Sequence, residues 1–459
     1  MSFENVALAG TSAEVVGKEL QPFIAGKIFI EGDVEYDMAR TIWNGMIDRK
    51  PAIIVECKNS DDVKLAVEFA GKQGMLVSVK CGGHNVAGNA VCNGGLMIDL
   101  SAMKEIEVDS QNKKIRAQGG VLWQELDKAT QVYGLATTGG TVSDTGIAGL
   151  TLGGGMGYLM GKHGLSCDNL LSAEIVIASG ELLKVDKDNN ADLFWAIRGG
   201  GGNFGIVTVF EFSLHSVGPN ILAGLILYPM DQAKEMLQYY RDNIRHTSSE
   251  IITYTGFLVT PDGLPVCFIL PTWLGPLEEG EEQLARLRSF GTPIVDLVSE
   301  IPYTQLQSLF DSATPTGMRR YWKSGYFTEI SDELIDIFIR NVAKRPSPYS
   351  PVLFFHMRGA AAITPAEETA FVHRGDQWDV DIISQWIEAE EDEININWTR
   401  SFWKEIEPFS KGVYVNHLDS DDNERVKNAY GVNYEKLRQI KRKYDPSNFF
   451  RLNNNILPS

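Results

Sequence analysis

Val77-Ser78-Val79-Lys80-Cys81-Gly82-Gly83-His84-Asn85-Val86-Ala87-Gly88 joins a β-favouring run to a loop with almost no side-chain bulk except one imidazole. Met75 to Val79 reads as a strand, because the run is apolar apart from Ser78 and carries two β-favouring valines. The bare glycines behind it let backbone N–H groups crowd around an anion, usually a phosphate. A ring nitrogen beside such a cradle can also bond covalently to a bound cofactor, although a lone histidine is more often structural than catalytic.

Outward from this loop, the stretch Gly82 to Gly205 stays dense in glycine, with short Val- and Ile-rich runs between the loops. Ala52 to Val55, Leu96 to Leu100, Glu174 to Ala178 and Ile206 to Phe212 read as strands. Helical segments alternate with them. Ser60-Asp61-Asp62 caps a helix over Val63 to Gln73, where Val63, Ala66, Val67 and Ala70 share one face. Trp123 to Tyr133 and Asp192 to Arg198 read as further helices. From about Gly218 the texture shifts toward Trp, Tyr, Pro and acidic residues. Met230 to His246, Glu281 to Phe290 and Asp332 to Asn341 look helical. Ile251 to Val259, Val266 to Leu270 and Pro351 to Met357 look like strands, which suits a separate sheet with helices on one face. Asn423 to Tyr444 reads as one charged amphipathic helix.

The chain has 459 residues and a formal net charge of −18, which argues against nucleic acid and anionic membrane as partners. The acidic run Glu388-Ala389-Glu390-Glu391-Asp392-Glu393 is read as a solvated helix face. No stretch approaches the roughly 20 apolar residues of a membrane span. Met1 to Lys18 lacks the basic start and apolar core of a secretory signal. The five cysteines (Cys57, Cys81, Cys92, Cys167, Cys267) are odd in number and irregularly spaced, so a reducing, cytoplasmic compartment is expected. No cysteine or histidine pair shows metal-ligand spacing, and no metal is expected.

Gly200-Gly201-Gly202-Asn203-Phe204-Gly205 formally matches G-x-G-x-x-G. A dinucleotide fingerprint follows a strand and opens a helix. Here a helix precedes and a strand follows, so that reading is rejected, leaving either a plain turn or close backbone approach to a ligand. Thr145 to Gly157 carries no charged side chain and is too glycine-rich for a stable helix interior. It either covers something flat and apolar, for which a flavin ring is suited, or packs two layers tightly. Asp168 and Asn169 suit a turn before the strand that follows them.

Taken together, Gly82-Gly83-His84-Asn85, Gly153-Gly154-Gly155-Met156-Gly157, Gly164 to Asn169, Arg198 to Val207 and Tyr414-Val415-Asn416 resemble the berberine bridge enzyme-like FAD-linked oxidases of the vanillyl-alcohol oxidase superfamily. Tyr444-Asp445-Pro446 and Phe450-Arg451-Leu452-Asn453 look like that family's C-terminal signature. The likeness runs from about Pro51 to Ile456, and bacterial and fungal members such as the 6-hydroxynicotine oxidases look nearest. It implies an α+β fold. Residues 1–218 would form a two-subdomain FAD-binding domain, and 219–419 a substrate domain with an antiparallel sheet covered by helices. Residues 420–459 would return to the FAD-binding domain. It implies FAD bonded through its 8α-methyl group to His84. Other implied contacts are Lys80, Cys81, Gly82, Gly83, Asn85, Thr145, Gly146, Gly149, Gly153, Gly154, Gly155, Gly157, Asp168, Asn169, Gly202, Asn203, Gly205, Val207, Tyr414 and Asn416. Many members carry a second, cysteinyl link. Here Val142 takes that cysteine's place and Cys167 lies beyond the loop, so a single link is expected, with a lower flavin potential and a less open site.

The family likeness implies hydride transfer from a C–H beside a hydroxyl or amine to flavin N5, a base to take the remaining proton, and molecular oxygen as acceptor, giving hydrogen peroxide. A dehydrogenase using a quinone or protein acceptor, and a non-catalytic structural protein on the same fold, are the alternatives. On Leu353 to Gly359, alternation puts Phe354, His356 and Arg358 on one face. His356 is the candidate base and Arg358 a candidate anion binder, unless that face meets solvent. Tyr414, paired with Asn416 on one face of a later strand, is the alternative base, and Tyr254 and Tyr321 are candidate wall residues. The small-molecule substrate would be aromatic, a sugar or an amine, since Trp273, Tyr321, Trp322, Tyr326, Trp378 and Trp386 crowd this half, although most suit a core. A monomer or homodimer is expected.

Overall fold

The computed structural model describes residues 13–459, so the reading of Met1 to Lys18 lies mostly outside the described residues. The first half folds around two sheets. A four-stranded sheet has the order Lys27–Phe29, Ile53–Glu56, Leu96–Asp99, Val77–Lys80, with its last three strands parallel. The helix Ser60–Gln73 makes the crossover. It opens at Ser60, three residues before the Val63 start the sequence suggested, because the Asn59 side chain, and not the Ser60 to Asp62 run, is the cap and accepts the Asp62 N–H at 3.0 Å. Its apolar face buries Val63, Ala66, Val67 and Ala70 against that sheet.

The second sheet is antiparallel, in the order Ile106–Asp109, Lys114–Gln118, Ile206–Ser213, Leu170–Val176, Leu182–Asp186. Ala191–Ala196 precedes the glycine turn and Ile206–Ser213 follows it, so the helix-then-strand order that excludes a dinucleotide fingerprint holds.

Nine strands between Asn220 and Trp386 form a large antiparallel sheet. Its central run is Pro265–Trp273, Ile251–Val259, Val352–Met357, Gln377–Trp386, Arg319–Phe327. One face packs under the helices Ala233–Ile244, Asp332–Val342 and Asp392–Ile406, where Phe354 meets Phe338 edge-on at 4.7 Å. The other face turns toward the glycine loops of the first half.

The chain then returns to the first half. The expected helix over Asn423 to Tyr444 is interrupted: Val426–Tyr430 and Tyr434–Tyr444 are separate, and Gly431 between them takes φ +47°. The second piece is anchored by the fully buried Lys441. Its Nζ lies 2.7 Å from Asp445 and donates to the carbonyls of Asn203 (2.6 Å) and Phe450 (2.9 Å). One ammonium therefore ties the tail to the Gly200 turn, and its three donors are all satisfied.

Candidate functional site

A cavity of about 910 Å³ lies between the glycine loops and the open face of the nine-stranded sheet. Cys81, Gly82, Gly83, His84 and Asn85 form one end. Gly83 has φ +69°, and a Cβ on Gly82 would sit 2.5 Å from the Gly146 nitrogen. Likewise a Cβ on Gly146 would meet Cys81 Sγ at 2.3 Å, so these loops touch backbone to backbone. The imidazole of His84 stacks on Trp43, with centroids 4.8 Å apart and planes 18° off parallel. Its Nε2 lies 2.9 Å from Asp144 Oδ1, and Thr145 Oγ1 is 3.4 Å from Nδ1. Lys80 does not belong to the wall. It pairs with Asp99 at 2.9 Å and donates to the Ala39 carbonyl, which holds the strand's far side.

The second loop divides. Contrary to the expectation from its glycines, Ile147–Leu152 is a short helix. Gly149 inside it faces open space, with no atom within 4 Å of where a Cβ would stand, and it lines the cavity with Thr145 and Gly146. Gly153, Gly154, Gly155 and Gly157 are different. Added Cβ atoms there would strike Asn416, Phe371, Ser166 and the Gly139 carbonyl at 2.0, 2.6, 2.2 and 1.6 Å. For these four the tight-packing reading holds: they let layers meet and do not line the cavity. Asp168 and Asn169 also stand outside it. Asp168 pairs with Arg374 at 2.7 Å, and Asn169 holds the turn through the carbonyls of His163 and Leu165 and contacts His215 at 2.6 Å. Gly202, Asn203, Gly205 and Val207 do line the cavity, and Gly202, like Gly149, opens onto empty space.

On the sheet face, Tyr254, Leu353, Phe355, Asp381, Ile383 and Gln385 point inward, joined by Trp322. Phe355 stacks on Tyr254 at 3.8 Å. The inward parity of Leu353 and Phe355 sends Phe354, His356 and Arg358 the other way. They share a face, as expected, but it is the helix-covered one. His356 is fully buried, stacked on Trp378 at 4.4 Å and 2.7 Å from Asp376. Burial lowers its pKa despite that carboxylate. Arg358 donates to the Ile244 carbonyl and to Thr247. Neither reaches the cavity. Tyr321 is also outside, donating to Asp421, whereas Trp273, Tyr326, Trp378 and Trp386 are core.

Tyr414 and Asn416 line the cavity from an extended residue and the 3₁₀ turn Val415–His417, not from a strand. The Tyr414 hydroxyl accepts the Gly155 N–H at 2.8 Å and an Asn416 N–H at 2.9 Å. Burial raises the phenol pKa well above its usual value, so it keeps a proton to donate and is a poor base.

The same turn delivers His417, a residue the sequence reading passed over. Its Nδ1 lies 2.8 Å from Asp381 Oδ1 and 3.0 Å from Asp379 Oδ2. Asp381 and His417 line the cavity, and the fully buried Asp379 stands behind them. Burial alone would strip the imidazole of its proton, but the two carboxylates win and raise its pKa to about 10. Burial, and then Asp381, push Asp379 up to about 7. Asp379, Asp381 and His417 also have the donor chemistry of a metal site. With its ring protonated the set holds a proton between one imidazole and two carboxylates, and a metal would have to displace that proton to bind. Spacing could not show it, because 36 residues separate Asp381 from His417 and only the sheet and turn bring them together.

An FAD fits these walls. Two glycines leave open space, Asn453 Oδ1 and Trp322 Nε1 are buried wall atoms without hydrogen-bond partners, and the volume falls within the range of cofactor clefts. A family model described as FAD binding domain matches residues 51–186, and one described as berberine and berberine like matches 413–457. The chain is 34% identical over 440 residues to an FAD-linked oxidoreductase of Dictyostelium discoideum, covering 95% of each. It is 29% identical over 452 residues to (R)-6-hydroxynicotine oxidase of Paenarthrobacter nicotinovorans, covering 95% of this chain and 97% of that one. The crystal structure of 6-hydroxy-D-nicotine oxidase from Arthrobacter nicotinovorans superposes with a TM-score of 0.87 at 29% identity, over 95% of this chain and 98% of the other.

Proposed function

The chain belongs to the berberine and berberine-like FAD-linked oxidoreductases, and on that premise we propose an oxidase with a single covalent flavin link and Asp381 as its base. FAD held by the His84 loop and the Gly202 turn would supply the two-electron acceptor for a substrate hydride and the route of those electrons to dioxygen. Asp381, with its carboxylate on the wall and His417 clamped against it, takes the proton from the substrate hydroxyl or ammonium. Tyr414 orients the substrate or ring by donating its remaining proton. Tyr254, Phe355 and Trp322 exclude water and hold an apolar or aromatic body. Among the described residues the wall carries no lysine or arginine, which disfavours an anionic substrate and favours a neutral alcohol or a cationic amine. The observation that carries this reading is that Asp381 and His417 share one cavity with the His84 loop.

A single link through His84 is supported by the other candidates. Val142 lines the cavity where a cysteine would give a second bond. Cys81 is the wall's cysteine, but burial raises its thiol to about 11. Cys167 is fully buried outside the wall. All five cysteines are unpaired, in keeping with the reading of a reducing, cytoplasmic compartment. The nine-stranded sheet between Asn220 and Trp386, and the tail anchored by Lys441, support dividing the chain at 218/219 and 419/420.

Anaerobic bleaching of the flavin with a panel of alcohols, amines, sugars and their carboxylate analogues tests the substrate class. Neutral or cationic members should bleach it, and bleaching by carboxylates alone refutes the reading. Slow reoxidation in air would make the chain a dehydrogenase instead. Denatured protein should keep flavin fluorescence on a gel, and His84→Ala should lose it. Fluorescence surviving that substitution places the link elsewhere.

A further inference from the structure

His84 is held more tightly than a simple attachment point requires. Trp43 stacks on its ring, the Trp43 indole N–H donates to the Thr314 carbonyl at 2.9 Å, and the Arg320 guanidinium sits 3.5 Å from the Trp43 ring centroid. The Asp144 loop is pinned as firmly. Ser143 donates its N–H and its hydroxyl to Asp311 at 2.9 and 2.6 Å, and the Thr145 N–H closes the turn onto the Val142 carbonyl at 3.2 Å. The pinned loop sets Asp144 Oδ1 2.9 Å from His84 Nε2. That oxygen is buried, and the 2.9 Å contact with His84 Nε2 is a close ion-pair distance rather than an aligned hydrogen bond. Burial opposes its charge, yet the His84 contact and the nearby Arg320 keep the Asp144 carboxyl below its usual pKa.

We propose that Asp144 is the positioning residue that turns His84 into the nucleophile for its own bond to the flavin methyl carbon. The proposal rests on the reading of His84 as the covalent anchor. A carboxylate at Nε2 keeps the proton there and leaves the lone pair on Nδ1, whose nearest partner is the weakly placed Thr145 hydroxyl. Bonding Nδ1 to carbon would otherwise build an imidazolium in a partly buried site. Asp144 neutralises that charge and accepts the Nε2 proton as the bond forms. One N–C bond forms, and one C–H bond of the methyl group breaks. The proton lost from the methyl carbon and the one lost from the imidazole, with the two electrons released, are matched by the two-electron, two-proton reduction of the isoalloxazine. Dioxygen, the acceptor of the proposed oxidase reaction, then reoxidises it and is reduced to hydrogen peroxide.

The test is the rate of covalent attachment after FAD is added to flavin-free protein, read by intact mass and by fluorescence of denatured samples. Asp144→Asn keeps the shape and hydrogen-bonding capacity but removes the charge. It should attach flavin at least tenfold more slowly, on the order of 10²-fold for loss of a positioned base, with an unchanged half-saturating FAD concentration. Asp144→Glu should recover part of the rate. Asp144→Ser, with the same expectation as the asparagine variant, serves should that variant fail to fold. Attachment at the wild-type rate in the Asn or Ser variant overturns the proposal, as does a Glu variant no faster than Asn, since shape and not charge would then matter. Wild-type protein without covalent flavin would instead remove the His84 anchor itself, and the Asp144 role with it.

Discussion

Two histidine–carboxylate sets draw their carboxylates from one short stretch, Asp376 to Asp381, at the start of the strand Gln377–Trp386, and they behave in opposite ways. His356 with Asp376 is sealed under the helices against Trp378, and burial drives its pKa down. His417 with Asp379 and Asp381 faces the cavity, and its pKa is driven up to about 10. The two sets contain the same residue types. They differ in the number of carboxylates touching the ring, one half-exposed against two buried, and in which side of the pleat they occupy. Desolvation wins against one partly solvated charge and loses to two sequestered ones. The proposed base stands on the second side, where a carboxylate both meets the cavity and lies against the His417 ring.

The comparison breaks most visibly in Asp381→Asn. Substrate-driven flavin bleaching should slow by about 10²- to 10³-fold while the flavin stays bound, and an unchanged rate would remove Asp381 from the chemistry. Next in size is His417→Gln, which leaves two buried carboxylates without their cation. Denaturant melts near pH 6 should show a loss of about 3 kcal/mol. The sign follows from the raised folded-state value: the imidazolium's contribution is fully present below the ordinary imidazole range and is lost as pH climbs through about 10. The gap between wild type and variant should therefore narrow toward that pH, and a constant gap would mean that the ring acts by packing alone.

A smaller effect is the pH dependence of bleaching. Burial pushes Asp379 up to about 7, and a proton taken up there changes the charge set beside the proposed base, so the rate should fall by about tenfold per pH unit below that point. A flat profile from about pH 5 to 8 would separate the pair from the rate-limiting proton transfer. The smallest kinetic effect belongs to the sealed set. His356→Ala should cost about 2 kcal/mol of stability as a buried truncation, yet leave the bleaching rate within about twofold. A steep fall in rate in a folded variant would restore His356 to the mechanism.

The glycine segment repeats this lesson. Gly149 and Gly153 look alike in sequence, four residues apart, and both suggested a cofactor wall. Gly149 opens onto the cavity, while Gly153 exists because Asn416 occupies the space its side chain would need. Composition shows where the backbone is bare and does not show what fills the gap. The Asn423 to Tyr444 helix failed for a local reason that was visible in advance, since Gly431 lies inside it at φ +47°.

The sequence by itself determined the fold class and the Gly82-Gly83-His84 end of the site, though not which of the later glycines line it. Strand runs, helix faces, the reversed glycine turn and the Gly82-Gly83-His84 loop are local signals, and hydrophobic period and glycine conformation act over a few residues. Only the tertiary structure decided the catalytic end. Pleat parity makes neighbours on Val352–Met357 face opposite layers, so which of Phe355 and His356 meets the cavity depends on which layer covers which face. The pKa values of Asp379 and His417 depend on burial and on charges brought together across 36 to 38 residues, which no local pattern encodes.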